Sequence, residues 1–497
     1  MSFAQATMLI LILYACLTVY LVYRGSSKTK DIKDFALGAG FSPVVVGLSL
    51  AAGITSAATF IINPGFVALY GWSAFFAMSV VLPIGLFISL IVLSKSFRKY
   101  GTSVKALTMA QWAGSRYESP FFSYFMAVIS LLLITFIVLI CVGLTKVIAS
   151  ALGADELLVL VILVVFVFGY TMFGGANSMV YTNAIQAILM VIVAVILLTS
   201  GYEHFSQGVS GFWTKIERID PGMTSIFNES SPLFRDWFEV IFCNFIVGIA
   251  IVCQPHIITK SLMLKSDKDV NKYLAVAIIV EILFFAVLFV GFYARLMFPD
   301  LMNDGLPIKM DGILSAYVVR NFSIGVGIIV VMGLISAGLS TLEGIVQSLS
   351  ITISNDIMAP MLGWKNETEK ITHINKWVIV ILAIVSILLS YQQLKHPNLS
   401  VGILAQNGVY AYFSSAFVPV LFGIFFKNTP KQAAIGAAFT AFIVHFSVYY
   451  GSLTPYTSGE IRNPAVAATI AILSALLVGS VLYKMYEQPK KLTKINE

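Results

Sequence analysis

Gly47-Leu48-Ser49-Leu50-Ala51-Ala52-Gly53-Ile54-Thr55-Ser56-Ala57-Ala58-Thr59, closely followed by Asn63-Pro64-Gly65, has the length and apolarity of a membrane helix but the composition of a poor one. Small and hydroxyl residues at this density weaken a helix and let neighbouring backbones approach. Two structures satisfy such a sequence. One is a continuous helix packed tightly against its neighbours. The other is a discontinuous helix whose freed carbonyls face a cavity at the membrane midplane. Both require a bilayer.

The rest of the chain is built for one. Of its 497 residues, 58% are hydrophobic and 11% charged, and the mean hydropathy is +0.90. Soluble domains carry about 25% charged residues, so polar side chains here cannot cover a globule. Runs of about 18 or more nearly uncharged residues recur from end to end. They give thirteen candidate helices, approximately at residues 4–23, 43–70, 73–95, 119–150, 155–173, 178–201, 236–258, 272–296, 323–355, 372–391, 400–426, 431–450 and 464–484. Several exceed what a crossing needs, so they tilt, kink or project beyond the hydrocarbon. The formal charge of +7 comes from basic residues scattered through short loops, which excludes a nucleic-acid-binding surface. Cys16, Cys141, Cys243 and Cys253 lie in apolar segments without metal-ligand spacing and read as packing residues.

Nothing basic precedes the first apolar run, whereas Arg24, Lys28, Lys30 and Lys33 follow it. It reads as a transmembrane helix with its amino end outside, not as a cleaved leader. Carried forward, that orientation places Lys95, Arg98, Lys99, Lys105 and Arg116 inside, then Lys260, Lys265, Lys268 and Lys272. Lys365, Lys370, Lys376, Lys427, Lys431, Lys484, Lys490, Lys491 and Lys494 complete the set. Inner segments thus hold 22 of the 31 basic residues, the asymmetry expected when helices are correctly counted and the carboxyl end is inside. The loop at 202–235 is the largest extramembrane piece, so residues 1–497 read as a single transmembrane domain.

The ninth helix carries Ser336-Ala337-Gly338-Leu339-Ser340-Thr341-Leu342-Glu343. The hydroxyls of Ser340 and Thr341 either bond back to their own helix or join open carbonyls of another helix in an oxygen cage for a hard monovalent cation. Glu343, and Glu281 in the eighth helix, are intramembrane acids, which their desolvation cost makes candidates for function. Glu343 either guards an ion exit or faces inner water. Glu281 either acts in function, pairs with an adjacent helix, or sits near the interface. His445 reads as packed or snorkelling rather than as a proton relay. Asn407, Tyr412, Ser414 and Ser415 make the eleventh helix polar on more than one face, through cavity lining or bonds between helices.

These stretches occur with Asp34-Phe35-Ala36-Leu37-Gly38, Gly174-Gly175 before Tyr181-Thr182 and Gln186, Gln254-Pro255-His256-Ile257-Ile258, and Pro419, Gly423 and Gly436. In this order they resemble the sodium:solute symporter family over nearly the whole chain, a family of sugar, proline, pantothenate, sialic acid and acetate carriers. The resemblance implies an all-α polytopic membrane protein of LeuT type. Two inverted repeats of five helices, helices 2–6 within residues 41–201 and helices 7–11 within residues 236–426, would follow a leading helix and loop (residues 1–40). C-terminal helices and a short tail (residues 427–497) would end it. The resemblance also implies a sodium (Na⁺) site made by carbonyls of Ala52, Thr55 and Ala337 and the hydroxyls of Ser340 and Thr341, with Ser56 at the junction of ion and substrate.

The chain departs from the family pattern in places. Thr182-Asn183 stands where many members have Thr-Asp, whose acid serves a second sodium in some, so one sodium per cycle is expected. Gly38-Ala39-Gly40-Phe41 lacks the usual arginine. Thr59, Val247 and Ala250 replace polar contacts of the sugar branch, and a sugar's hydroxyls would go unpaired against them.

The implied function is sodium-coupled secondary active symport of a small organic solute, a monocarboxylate-type acid or an amino acid, by alternating access in the plasma membrane. Na⁺ is the expected coupling ion, and the solute and the lipid bilayer are the expected partners; no protein partner is called for. Polarity and helix placement nominate Ser56, Thr59, Asn63, Thr135, Asn244 and Tyr412 as substrate-lining residues, and Glu343 as an acid on the ion path. A proton-coupled carrier using Glu343 is the rival reading within transport. A non-transporting solute sensor is another, against which stands a chain that stops soon after its last helix. An enzyme is not expected, because the five histidines are scattered without acid/base or metal spacing.

Overall fold

Backbone N–H and C=O groups in hydrocarbon must bond within their own segment, and the chain is helical almost throughout. The structure is a computed structural model and describes residues 3–38, 40–303, 305–364, 367–396 and 401–487. Ala39, Lys365, Lys490, Lys491 and Lys494 lie outside the described residues.

Helix α1 covers Ala4–Ser26, and α2 is a pair, Pro43–Ile54 and Ala58–Tyr70, bent by 53°. Helix α3 is Trp72–Ser103 and α4 is Pro120–Leu152. The next segment, Glu156–Phe205, has 50 residues, about 75 Å of helix against a hydrocarbon core of about 30 Å. It breaks at Gly175, whose φ of 54° and ψ of −157° leave helical space, and so forms α5 (residues 156–174) and α6 (residues 176–205). Helix α7 is a second bent pair, Phe238–Ile251 and Pro255–Met263, at 59°. Then come α8 (Asp267–Met297), α9 (Ile324–Met361), α10 (Thr368–Lys395), α11 (Val401–Phe425), α12 (Lys431–Tyr450) and α13 (Pro464–Tyr486). Among the described residues ten helices are long and apolar enough to cross a membrane, and twelve when each bent pair is one span. Gly175 divides the longest of these segments in two.

Local sequence explains the breaks. Pro43 occupies the first turn of α2, with the Ser42 hydroxyl accepting from the Val45 N–H at 3.4 Å. At its far end Thr55 is extended (φ −79°, ψ 97°), which ends the first half. In α7, Gln254 is extended (φ −67°, ψ 135°) and Pro255 opens the second half. Gly175 turns where only glycine fits: a Cβ there would stand 2.7 Å from the Phe35 ring. Each bent helix heads one of the two expected five-helix sets.

Small residues set the closest packing. A Cβ on Gly248 of α7 would lie 2.2 Å from the Leu82 carbonyl oxygen, and one on Gly85 of α3 would lie 2.5 Å from that of Phe245. The two backbones are therefore in direct contact. Helix α9 is buried along most of its length and packs on the first half of α2, on α4 and on the α5–α6 pair. Asn407 of α11 joins α12, its amide donating to the Tyr450 hydroxyl at 3.0 Å and its oxygen lying 2.9 Å from His445 Nε2. That resolves Asn407 as an interhelical bond and His445 as a packed residue.

One basic residue belongs elsewhere than its sequence position implies. Lys260 is not in a loop: it lies in the second half of α7, 1% exposed, with its ammonium donating to the Ser49 carbonyl and hydroxyl. Between the membrane helices, Arg235 pairs with the buried Glu239 at 2.7 Å and stacks over Tyr456, whose hydroxyl donates to Asp236 at 2.7 Å. This clasp ties the start of α7 to the loop between α12 and α13.

Candidate functional site at the break in α2

Where α2 ends at Thr55, carbonyls that a continuous helix would have bonded are released. Helix α9 passes beside them and presents Ser340 and Thr341. The Ser340 hydroxyl lies 2.7 Å from the Ala52 oxygen and 3.1 Å from that of Ala337. The Thr341 hydroxyl lies 3.2 Å from the Gly53 oxygen, and 3.4 Å from those of Ala52, Thr55 and Ala337. Ala52, Thr55, Ala337, Ser340 and Thr341 are therefore brought together, all fully buried, with Gly53 as a sixth member that sequence reasoning missed.

The electrostatics follow from counting protons. Thr341 Oγ1 carries one proton and can satisfy one acceptor, yet four carbonyl oxygens converge on it. The surplus lone pairs point into one small volume, an arrangement that favours a cation with oxygen-donor preference. Of the alternatives for the two hydroxyls, the structure shows both at once: back-bonding to Ala337 and contact with the opened carbonyls of α2.

Two buried acids lie beside this cluster. The Thr55 hydroxyl donates to Glu281 Oε2 at 2.8 Å, and Glu281 of α8 is fully buried with its other oxygen unbonded among the described residues. Glu281 thus has the partner on an adjacent helix, and that partner is the residue at the break. Glu343 does not face water: it is buried, and its carboxylate accepts from Tyr170, from Thr182 at 2.7 Å and from Gln186 at 3.1 Å. Gln186 donates in turn to the Tyr14 hydroxyl at 2.7 Å, tying α1 to this network. The Asn183 amide donates to the Ser340 carbonyl at 3.2 Å.

A cavity opens on the other side of the break, between α2, α3, α4, α7 and α11. Ser56, Thr59 and Asn63 line it. Thr135, Asn244 and Tyr412 do not. The Thr135 hydroxyl donates to the Leu132 carbonyl at 2.9 Å within its own helix and packs against Gly408. The Asn244 amide bonds the Glu239 carbonyl at 2.8 Å across a wide π-type turn, and Tyr412 is buried in the core. Polarity and helix placement do not fix the rotational phase of a residue on its helix. Gln254, His256, Gln406, Tyr410 and Phe136 take their places. Tyr410 is two positions from Tyr412, about 200° round the helix.

His256 and Gln254 had a signal in the sequence, since Gln254-Pro255-His256 forms the break of α7. Both ring nitrogens of His256, and Gln254 Oε1, are buried without a hydrogen-bond partner among the described residues. The remaining wall is apolar, from Met78, Leu82, Leu86 and Leu139 among others, and no described lining residue is acidic, lysine or arginine.

A sequence model described as "SSF: Sodium:solute symporter family" matches residues 35–441. The chain is 25% identical to the sodium/pantothenate symporter of Escherichia coli (strain K12) over 475 residues, 93% of each protein. It is 24% identical to the osmoregulated proline transporter of Bacillus subtilis (strain 168), over 82% of each. A solved structure, the substrate-bound outward-open state of a Na⁺-coupled sialic acid symporter, superposes with a TM-score of 0.78 at 18% identity, covering 98% of both chains.

Proposed function

Because the chain belongs to the sodium:solute symporter family, we propose that it is a sodium-coupled secondary active symporter that imports a small organic acid or amino acid by alternating access. It is a multi-pass integral membrane protein with the fold of Na⁺-coupled carriers. The observation that carries the reading is the convergence of four carbonyls on the Thr341 hydroxyl at the break of α2.

The coupling is a linkage. Ala52, Thr55 and Ala337 offer carbonyls and Ser340 and Thr341 offer hydroxyls, so Na⁺ draws α2 and α9 together. Ser56 and Thr59, next along α2, then stand ordered in the cavity wall. Substrate binds better with the ion present, and by reciprocity the ion binds better with substrate present. Inside the cell, low Na⁺ empties the ion position, and the solute loses the support of the ordered wall.

The test is uptake into proteoliposomes of labelled proline, pantothenate, acetate, pyruvate, sialic acid and glucose, under an inward Na⁺ gradient and with K⁺ in its place. Na⁺-driven uptake of one solute, abolished in a Ser340→Ala/Thr341→Ala variant, is expected. Uptake that is equal in K⁺, or intact in the variant, refutes the ion site. Collapse with a pH gradient instead would assign the coupling to protons.

A further inference from the structure

Resting on the symporter reading, we propose that the cavity takes a small monocarboxylate with an apolar body and no ammonium group, and that His256 receives the carboxylate. His256 is 3% exposed, lies in the cavity wall, and has no partner at either ring nitrogen among the described residues. A neutral imidazole carries one N–H donor and one acceptor, and buried polar groups in folded proteins are bonded. Its nearest aromatic neighbour, Phe136, meets it edge-on with ring centroids 6.4 Å apart and offers it no hydrogen bond. The unmet donor is thus left for a ligand; His256 borders this cavity and also a smaller one beside Thr259 and Thr352.

The charge of the cavity decides the rest. No described lining residue is acidic, so an ammonium entering it would shed its water without gaining a carboxylate. The carbonyl at the end of the first half of α7 is already engaged: the Ile251 oxygen accepts from the Gln254 N–H at 3.2 Å and from its side-chain amide at 3.3 Å. Thr55, at the ion position, directly precedes Ser56 in the wall. A cation there attracts a carboxylate in the cavity and repels an ammonium. The donors on offer, His256 together with Ser56 and Thr59, suit an anion, and Met78, Leu82 and Leu139 suit a hydrocarbon body.

Isosteric pairs isolate the ammonium. The full-length protein in nanodiscs is titrated calorimetrically, in Na⁺ and in K⁺, with cyclopentanecarboxylate against proline and with propionate against alanine. The acid of each pair should bind at least tenfold tighter than its amino-acid twin, and the methyl ester of cyclopentanecarboxylate should not bind. His256→Ala should weaken the acid tenfold or more, and His256→Gln, which keeps a donor, should recover part of that. The thermal shift produced by Na⁺ alone should stay as in the parent. An amino acid binding as well as its twin, binding by neither member of either pair, or parental affinity in His256→Ala overturns the proposal. If His256→Ala does not fold, the pair selectivity of the parent and the His256→Gln affinity decide it. Absence of any Na⁺ effect in the parent, with acid selectivity retained, would sink the sodium reading and leave this one standing.

Discussion

Replacing Thr341 by alanine removes one hydroxyl and leaves the backbone of α9 untouched. The four carbonyls that meet at this hydroxyl, at 3.2–3.4 Å, then face one another across a gap the size of a missing oxygen. A hydrogen-bonding contact to a charged group contributes about 1.5–3 kcal/mol. At about 1.4 kcal/mol per factor of ten, losing one oxygen of the set should raise the Na⁺ concentration for half-maximal uptake by about 10- to 100-fold. Thr341→Ser keeps the oxygen and should stay within about threefold of the parent, a range well under 1 kcal/mol. The assay is initial uptake in proteoliposomes across a series of Na⁺ concentrations at constant ionic strength, with folding checked by thermal unfolding of the same preparations. Stable Thr341→Ala protein whose Na⁺ dependence overlays the parent's would refute the argument from converging carbonyls.

Other positions give independent checks. Glu281→Ala strips the Thr55 hydroxyl of its acceptor in a fully buried place; melting should drop by the equivalent of about 1–3 kcal/mol, and Na⁺ dependence should shift as well. If Glu281→Ala melts like the parent, the bond does not matter. Arg235→Ala leaves the Glu239 carboxylate buried without its charge partner and should cost about 3–5 kcal/mol, with Glu239→Gln in the same chain restoring part; an unaltered unfolding midpoint for the single variant would contradict this. Gly248→Val should separate α3 from α7, since a Cβ there stands 2.2 Å from a backbone oxygen. Overpacking of about 1–3 kcal/mol or more should appear as reduced folded yield in membranes, whereas Gly169→Ala, with open space around it in α5, should be far milder.

Much of the fold is legible in the sequence because hydrocarbon leaves an uncharged run of twenty residues few alternatives. The break in α2 is written in Gly53, Thr55 and Ser56, although the same letters also describe tight packing; only the path of α9 beside Thr55 separates the two. Ser340 and Thr341 could be placed because the family resemblance marks them; about 100° apart round the helix, they could by local pattern alone have bonded back to their own helix. Thr135, Asn244 and Tyr412 could not, since being polar does not say which way a residue points on a helix buried all round. Lys260 shows the same limit for charge: a lysine near a helix end reads as a loop residue, and only its bonds to Ser49 reveal it inside the bundle. Glu343 needed three donors from α5 and α6, 157 or more positions away, and no local pattern announces such partners.

The Asn183 amide, held to the Ser340 carbonyl at 3.2 Å, bears on how far the carrier can concentrate its cargo. A neutral residue there supplies no counter-charge for a second cation. A carrier of one sodium and one carboxylate moves no net charge, so the membrane voltage neither drives nor opposes it. Its limit is then the sodium gradient alone: a tenfold gradient, about 1.4 kcal/mol, supports at most about tenfold accumulation. A zwitterion carried with the same ion would gain a further ~2.3 kcal/mol per 100 mV. If this chain carries one sodium with one acid, import would continue through a depolarisation that halts electrogenic carriers.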